Sequence, residues 1–284
     1  MTGDIKYLEA NGLQFAYLEA GKGPLVLLLH GFPDTAESWG PTLETLAAAG
    51  YRAVAPFLRG YYPSAIPADG DYSTLALAND TVALIEALGE SSAIVVGHDW
   101  GAFAAYVAAI LAPWKVRKLV TLAIPHPRVI VPTPKTFLKA PHFLWLSLGA
   151  FGEWYARRNN LAYVDELYRY WSPNWTAPQA EIERVKEGFR RPDRLNAALG
   201  YYRWLARDAL NFERQELYRR WISVPTLALA GECDGALDVA LYAKMPAAFT
   251  GPYEGVIFPR VGHFLHREDP ERFLRTLLQF LSLP

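Results

Sequence analysis

The chain has 284 residues, of which 28 are basic and 29 acidic, for a formal net charge of −1; 51% of its residues are apolar and 20% are charged. That length supports one large core or a core with an inserted subdomain, and the near-neutral, dispersed charge excludes the basic footprint of a nucleic-acid binder and the polybasic patch of a membrane-surface protein. Cys233 is the sole cysteine, so no internal disulfide exists; with no apolar leader at the start and no apolar run near the ~20 residues of a spanning helix, a cytoplasmic enzyme is the expectation.

Residues 6–8 and 13–19 alternate around Asn11-Gly12. Both turn residues tolerate positive φ, so the spacing predicts a tight hairpin. After Pro24 comes the unbroken apolar run Leu25-Val26-Leu27-Leu28-Leu29. A strand buried on both faces reads this way, as in a parallel sheet. Residues 51–55, 93–96, 116–122 and 226–230 have the same character. Between them, residues 75–88 carry apolar side chains at helical spacing before Gly89, and the alanine-rich stretch 102–111 stops before Pro113. Alternating strands and helices predict a doubly wound α/β sheet. The alternation breaks after residue 124, where Pro125, Pro127, Pro132, Pro134 and Pro141 punctuate the chain. A helical, aromatic-rich region follows, with Trp145, Trp154, Trp171, Trp175, Tyr201, Tyr202 and Trp204, and strand character returns at Val224. The expected organisation is an α/β core of residues 1–126 and 219–284, with a helical cap of residues 127–218 inserted into it.

Three segments carry chemistry. In the first, an apolar strand runs into Gly97-His98-Asp99-Trp100-Gly101 and then a small-residue helix. Glycines on both sides of one residue suit a crowded strand-to-helix turn, the nucleophile elbow, whose central residue is usually serine. Here it is Asp99. The plain alternative is an aspartate that merely caps a helix. The helix N-terminus favours an anion at this place, and an ionised carboxylate is what nucleophilic attack requires. In the second segment, the first buried strand ends in His30-Gly31-Phe32-Pro33-Asp34. Enzymes built on such an elbow take one oxyanion-hole N–H from this loop, here Phe32, and one from the residue after the nucleophile, here Trp100. His30 and His98 read as loop-anchoring rather than proton-moving residues. In the third, Asp234 follows the strand at 226–230, and His263 lies in Gly262-His263-Phe264. The order Asp99, Asp234, His263 is nucleophile, acid, base: His263 activates water, and Asp234 fixes its tautomer. Asp238 is a competitor for the acid. His263 and His266 form an i, i+3 pair that can bind metal, but no third ligand is apparent, so neither metal nor cofactor is expected.

Together, His30-Gly31-Phe32-Pro33, Gly97-His98-Asp99-Trp100-Gly101 and Gly262-His263-Phe264 resemble the α/β-hydrolase-fold epoxide hydrolases. Arg59-Gly60-Tyr61-Tyr62-Pro63-Ser64 is similar to their Arg-Gly-Tyr-Gly-x-Ser loop, without its second glycine. The resemblance implies a mostly parallel twisted sheet with a helical cap, and conversion of an epoxide to a vicinal diol through an alkyl ester on Asp99. It also implies two cap residues that hold the epoxide oxygen. Ala198-Leu199-Gly200-Tyr201-Tyr202-Arg203 resembles the late-cap signature Ala-Leu-x-x-Tyr-Arg and points to Tyr202. Alignment on residues 149–153 points to His142 as its partner, with Tyr155 and Tyr163 as alternatives. The aromatic cap suggests a small hydrophobic epoxide as substrate, and the chain is expected to be a monomer or homodimer. The nearest rivals are haloalkane dehalogenases, which usually carry Asn at the place of Phe32, and fluoroacetate dehalogenases, which carry arginines at the places of Trp100 and Phe103. A non-catalytic small-ligand receptor on the same fold is a third reading.

Overall fold

The computed structural model describes residues 4–130 and 141–283. Pro132 and Pro134, expected to break the alternation, lie outside the described residues, as does that part of the expected cap.

Eight strands form one sheet: β1 (Lys6–Ala10), β2 (Leu13–Ala20), β3 (Leu25–Leu29), β4 (Arg52–Pro56), β5 (Ala93–His98), β6 (Val116–Leu122), β7 (Thr226–Gly231) and β8 (Tyr253–Phe258), in the spatial order β1-β2-β4-β3-β5-β6-β7-β8. β1 and β2 are an antiparallel hairpin turning at Asn11-Gly12, both with positive φ, and β2 is antiparallel to β4. The remaining neighbours are parallel. Every residue of β3, β5 and β7 is buried, which is why their sequences are unbroken apolar runs rather than alternating ones. β8 escaped the sequence reading because it is an edge strand: Tyr-Glu-Gly-Val-Ile-Phe leaves most of its side chains to solvent.

The chain leaves β3 toward β4 on one side and returns to β5 on the other. Open α/β sheets bind ligands at this reversal, beyond the carboxyl ends of the strands. The register places Leu29 opposite Gly97. The loops that begin at His30 and Asp99 therefore leave the sheet side by side.

Helices α1 (Gly40–Ala48), α2 (Thr74–Ala87) and α3 (Trp100–Leu111) pack on the sheet. The Ser73 hydroxyl caps α2 by accepting the Ala76 N–H at 3.2 Å. Between β6 and β7 lie α4 (His142–Ser147), α5 (Gly149–Trp171), α6 (Gln179–Arg190), α7 (Arg194–Ala209) and α8 (Phe212–Tyr218). α5 breaks at Arg158–Leu161, where Asn159, Asn160 and Leu161 take left-handed φ. After β8 come α9 (Leu265–Glu268) and α10 (Pro270–Ser282); α10 turns Phe273, Leu277, Phe280 and Leu281 inward. Among the described residues, no helix is long and apolar enough to cross a membrane.

Two contacts seat the helical insert on the sheet. The Tyr201 hydroxyl on α7 donates to the Arg59 carbonyl at 2.8 Å. Arg59 is itself buried and donates twice to Asp80, at 2.6 Å each. At the end of α5, the Trp171 carbonyl accepts the N–H groups of Gly235 and His263, both at 3.1 Å. A helix C-terminus leaves carbonyls without intrahelical partners. Here one of them joins the turns that hold the two candidate proton-handling residues.

Candidate active site

Asp99 stands between β5 and α3 with φ 52° and ψ −118°. A non-glycine residue in such a region costs on the order of 1–3 kcal/mol and persists only where its surroundings enforce it. The flanking glycines show how. A Cβ on Gly97 would lie 2.2 Å from the Gly101 carbonyl oxygen, and one on Gly101 would lie 2.2 Å from that of Leu29. Strand, helix and neighbouring strand close onto each other only without those carbons. The Asp99 side chain makes no capping hydrogen bond to α3. Its Oδ1 instead accepts the Phe32 N–H at 2.7 Å. A Cβ on Gly31 would reach within 2.3 Å of that same oxygen, so Gly31 is what lets the loop approach. Trp100 is the first residue of α3, where an N–H has no intrahelical acceptor.

His263 Nδ1 donates to Asp234 Oδ2 at 2.9 Å, and its Nε2 lies 3.7 Å from Asp99 Oδ2. The first contact is a hydrogen bond. The second is too long to be one and leaves Nε2 without a partner among the described residues. Asp234 Oδ1 accepts the Ala236 N–H at 2.7 Å, which fixes the acid in turn. Asp238 instead accepts the Ala240 N–H at 3.2 Å, at the start of the helical turn that follows. Burial alone would lower the His263 pKa. The charge and hydrogen bond of Asp234, and then the nearby Asp99, outweigh that and raise it to about 10. The imidazole is therefore cationic in the free protein at neutral pH.

Sequence reasoning missed the residues that hold the His263 turn. Glu268 accepts the Gly262 N–H at 2.7 Å, the Phe264 N–H at 2.9 Å and the Ser172 hydroxyl at 2.6 Å. Ser172 Oγ accepts the His263 N–H at 3.0 Å. Glu268, the last residue of the short α9, folds back onto the N–H groups before that helix and satisfies donors that have no intrahelical acceptor. Ser172 carried no sequence signal, because it comes from the far end of α5.

Above Asp99, Tyr202 packs edge-on to Trp100 (ring centroids 5.0 Å apart), Phe32 (5.4 Å) and His142 (6.3 Å). Burial and the Asp99 charge keep the Tyr202 phenol protonated, with a pKa well above 10. Burial, then the His263 charge, push His142 down to about 3, so it is a neutral imidazole. Tyr155 and Tyr163 are half-buried and pack on each other at 5.2 Å. The geometry thus brings Asp99, Phe32, Trp100, Asp234, His263, Tyr202 and His142 into one neighbourhood. Of the cap alternatives, only His142 makes ring contact with Tyr202.

The other singled-out residues lie elsewhere. His30 Nε2 accepts the Leu58 N–H at 3.1 Å, its Nδ1 meets the Gly31 carbonyl at 3.0 Å, and burial lowers its pKa to about 4. Cys233 is a half-buried free thiol. His266 does not pair with His263: it stands beside His98 and Asp34.

A parallel sheet with an acidic elbow, a histidine backed by a second carboxylate and an N–H aimed at the elbow carboxylate define a hydrolase of the α/β class. A family model for the alpha/beta hydrolase fold matches residues 24–270. An epoxide hydrolase of Caballeronia sordidicola is 43% identical, covering 99% of this chain and 95% of that protein. A protein of Bacillus subtilis named as an AB hydrolase superfamily member is 33% identical over 98% and 97% of the two chains. Among solved structures, an epoxide hydrolase from an endophytic Streptomyces superposes with a TM-score of 0.86 at 29% identity, covering 98% of this chain and 95% of the other. The chain belongs to the α/β-hydrolase-fold epoxide hydrolase family.

Proposed function

We propose that the protein converts an epoxide to a vicinal diol through an alkyl ester on Asp99, beneath a cap formed by residues 127–218. The observation that carries this is the line from Asp99 through His263 to Asp234, with the Phe32 N–H on the Asp99 carboxylate. Asp99 attacks an epoxide carbon; the C–O bond breaks and the ring oxygen takes its electron pair. The Tyr202 hydroxyl and an N–H of neutral His142 hold that oxygen as charge develops; it stays on the substrate and becomes a hydroxyl by taking the proton that the His263 imidazolium gives up through solvent. Such assistance is typically worth ~10²–10⁴ in rate. A neutral imidazole serves as a hydrogen-bond donor here without bringing a second cation close to His263.

Esterification removes the Asp99 charge. The His263 pKa then falls, because one of the two anions that raised it is gone. The imidazole that was cationic at rest becomes a base. It takes a proton from water, and hydroxide adds to the Asp99 carbonyl carbon. The N–H groups of Phe32 and Trp100 hold the oxyanion, each worth roughly 3 kcal/mol. Collapse releases the diol and returns the carboxylate. A serine at the elbow would form an ether that water cannot cleave, whereas a carboxylate forms an ester with a carbonyl to attack.

A single turnover in heavy-oxygen water tests the pathway. Label entering the Asp99 carboxylate supports it, and label found only in the diol rejects it. A second reading, halide displacement by the same carboxylate, draws on one observation: the buried Trp100 Nε1 has no hydrogen-bond acceptor among the described residues. Against it, the position where haloalkane dehalogenases usually carry Asn holds Phe32. Parallel assays of diol formation and halide release separate the two.

A further inference from the structure

Beside the His263 turn three buried groups converge: Asp34, His98 and His266 each offer a ligand atom, and these atoms lie within 4.8 Å of one another. Each imidazole offers an uncommitted atom, while Asp34 Oδ2 accepts a long hydrogen bond from Arg267. His98 Nε2 lies 3.0 Å from the His263 carbonyl oxygen. A carbonyl only accepts, so Nε2 carries the proton and Nδ1 is left with a free lone pair, and Nδ1 has no partner among the described residues. Neither nitrogen of His266 has a hydrogen-bond partner among the described residues either. Asp34 Oδ1 accepts the Thr35 N–H at 2.8 Å, while Oδ2 has only Arg267 at 3.5 Å and His266 Nε2 at 4.0 Å. Arg267 is spent mainly on Glu181 and the Tyr168 hydroxyl. Orphaned buried polar atoms in a native fold call for an occupant, water or ion.

We propose that Asp34, His98 and His266 form a site for a divalent transition metal of the zinc class. Two imidazoles and one carboxylate are the donors such ions prefer over the all-oxygen sets of calcium or magnesium. The bond from His98 Nε2 to a backbone carbonyl is the outer contact that usually orients a metal-binding histidine. An entry path exists: Asp34 and His266 line a cavity of about 560 Å³ between α1 and the insert, walled also by Glu37, Glu181 and Trp175. Tetrahedral zinc spaces its ligands by about 3.3 Å, so the donors must draw in by up to about 1.5 Å.

The test is calorimetric titration of the chelator-treated full chain with Zn(II), alongside the visible absorption of added Co(II). The expected result is saturable binding of one ion per chain, a tetrahedral Co(II) band and a raised melting temperature. His266→Gln and Asp34→Asn, each checked for folding by its own melting curve, should weaken binding about tenfold or more. His263→Asn should leave binding intact. No binding means that water alone fills the cluster and overturns the proposal. Binding that survives both ligand substitutions, or is lost with His263→Asn, places the metal elsewhere and overturns it equally.

Discussion

Replacing Asp99 by Asn imitates the charge that esterification removes, and so isolates the switch of His263 from acid to base. His263 Nε2 and Asp99 Oδ2 are 3.7 Å apart. Two unit charges at that distance interact by about 4 kcal/mol at an effective dielectric constant of 20, equivalent to about 3 pH units. Subtracted from the raised value of about 10, this brings the imidazole of Asp99→Asn to about 7, where a general base works best at neutral pH. The assay is nitrogen NMR of histidine-labelled protein, followed through a pH titration of the wild type and of Asp99→Asn. The linked stability has a definite sign. Because the folded-state pKa lies above the ordinary 6.5, the stabilisation from protonated His263 is fully present below pH 6.5 and is lost as pH rises through about 10. Asp99→Asn should therefore lose less stability than the wild type over that window. A fall in the His263 pKa of less than about one unit would refute the reasoning, since Asp234 would then hold the imidazolium alone and ester formation would not release it.

Other substitutions probe other links. Tyr202→Phe should slow ester formation by ~10²–10⁴ and leave ester hydrolysis unchanged; equal loss in both steps of a stopped-flow single turnover would remove Tyr202 from its role. Gly31→Ala puts a carbon 2.3 Å from Asp99 Oδ1, so it should displace the Phe32 N–H and cut turnover by about 10²–10³; near-normal kcat would show that the loop is not held as described. Arg59→Leu leaves Asp80 buried, with Asn11 Nδ2 at 2.8 Å as its remaining side-chain partner. It should cost about 3–5 kcal/mol in urea unfolding, and Asp80→Leu added to it should restore much of that. A single-variant loss below about 1 kcal/mol would show the pair to be structurally idle.

Much of the core was legible because its signals are local. Residues 25–29 and 93–96 are apolar without interruption because both faces of those strands are covered, and Gly97 and Gly101 flank Asp99 because carbons there would strike backbone. The hairpin at Asn11-Gly12 is likewise a two-residue matter. The edge strand β8 and helices α1 and α10 were not read, the first because solvent dilutes its apolar pattern.

Sequence alone determined the strand–elbow–helix around Asp99 and the chain order Asp99, Asp234, His263, since periodicity, small flanking residues and residue order are properties of the chain itself. Tertiary structure decided the rest. It selected Asp234 over Asp238, paired His266 with Asp34 and His98 rather than with His263, set His142 against Tyr202, and recruited Ser172 and Glu268 to hold the His263 turn. These contacts join residues as far apart as His98 and the His263 carbonyl, 165 positions away in sequence. Which distant side chains meet depends on how layers pack and where the insert rests, and no local spacing encodes that.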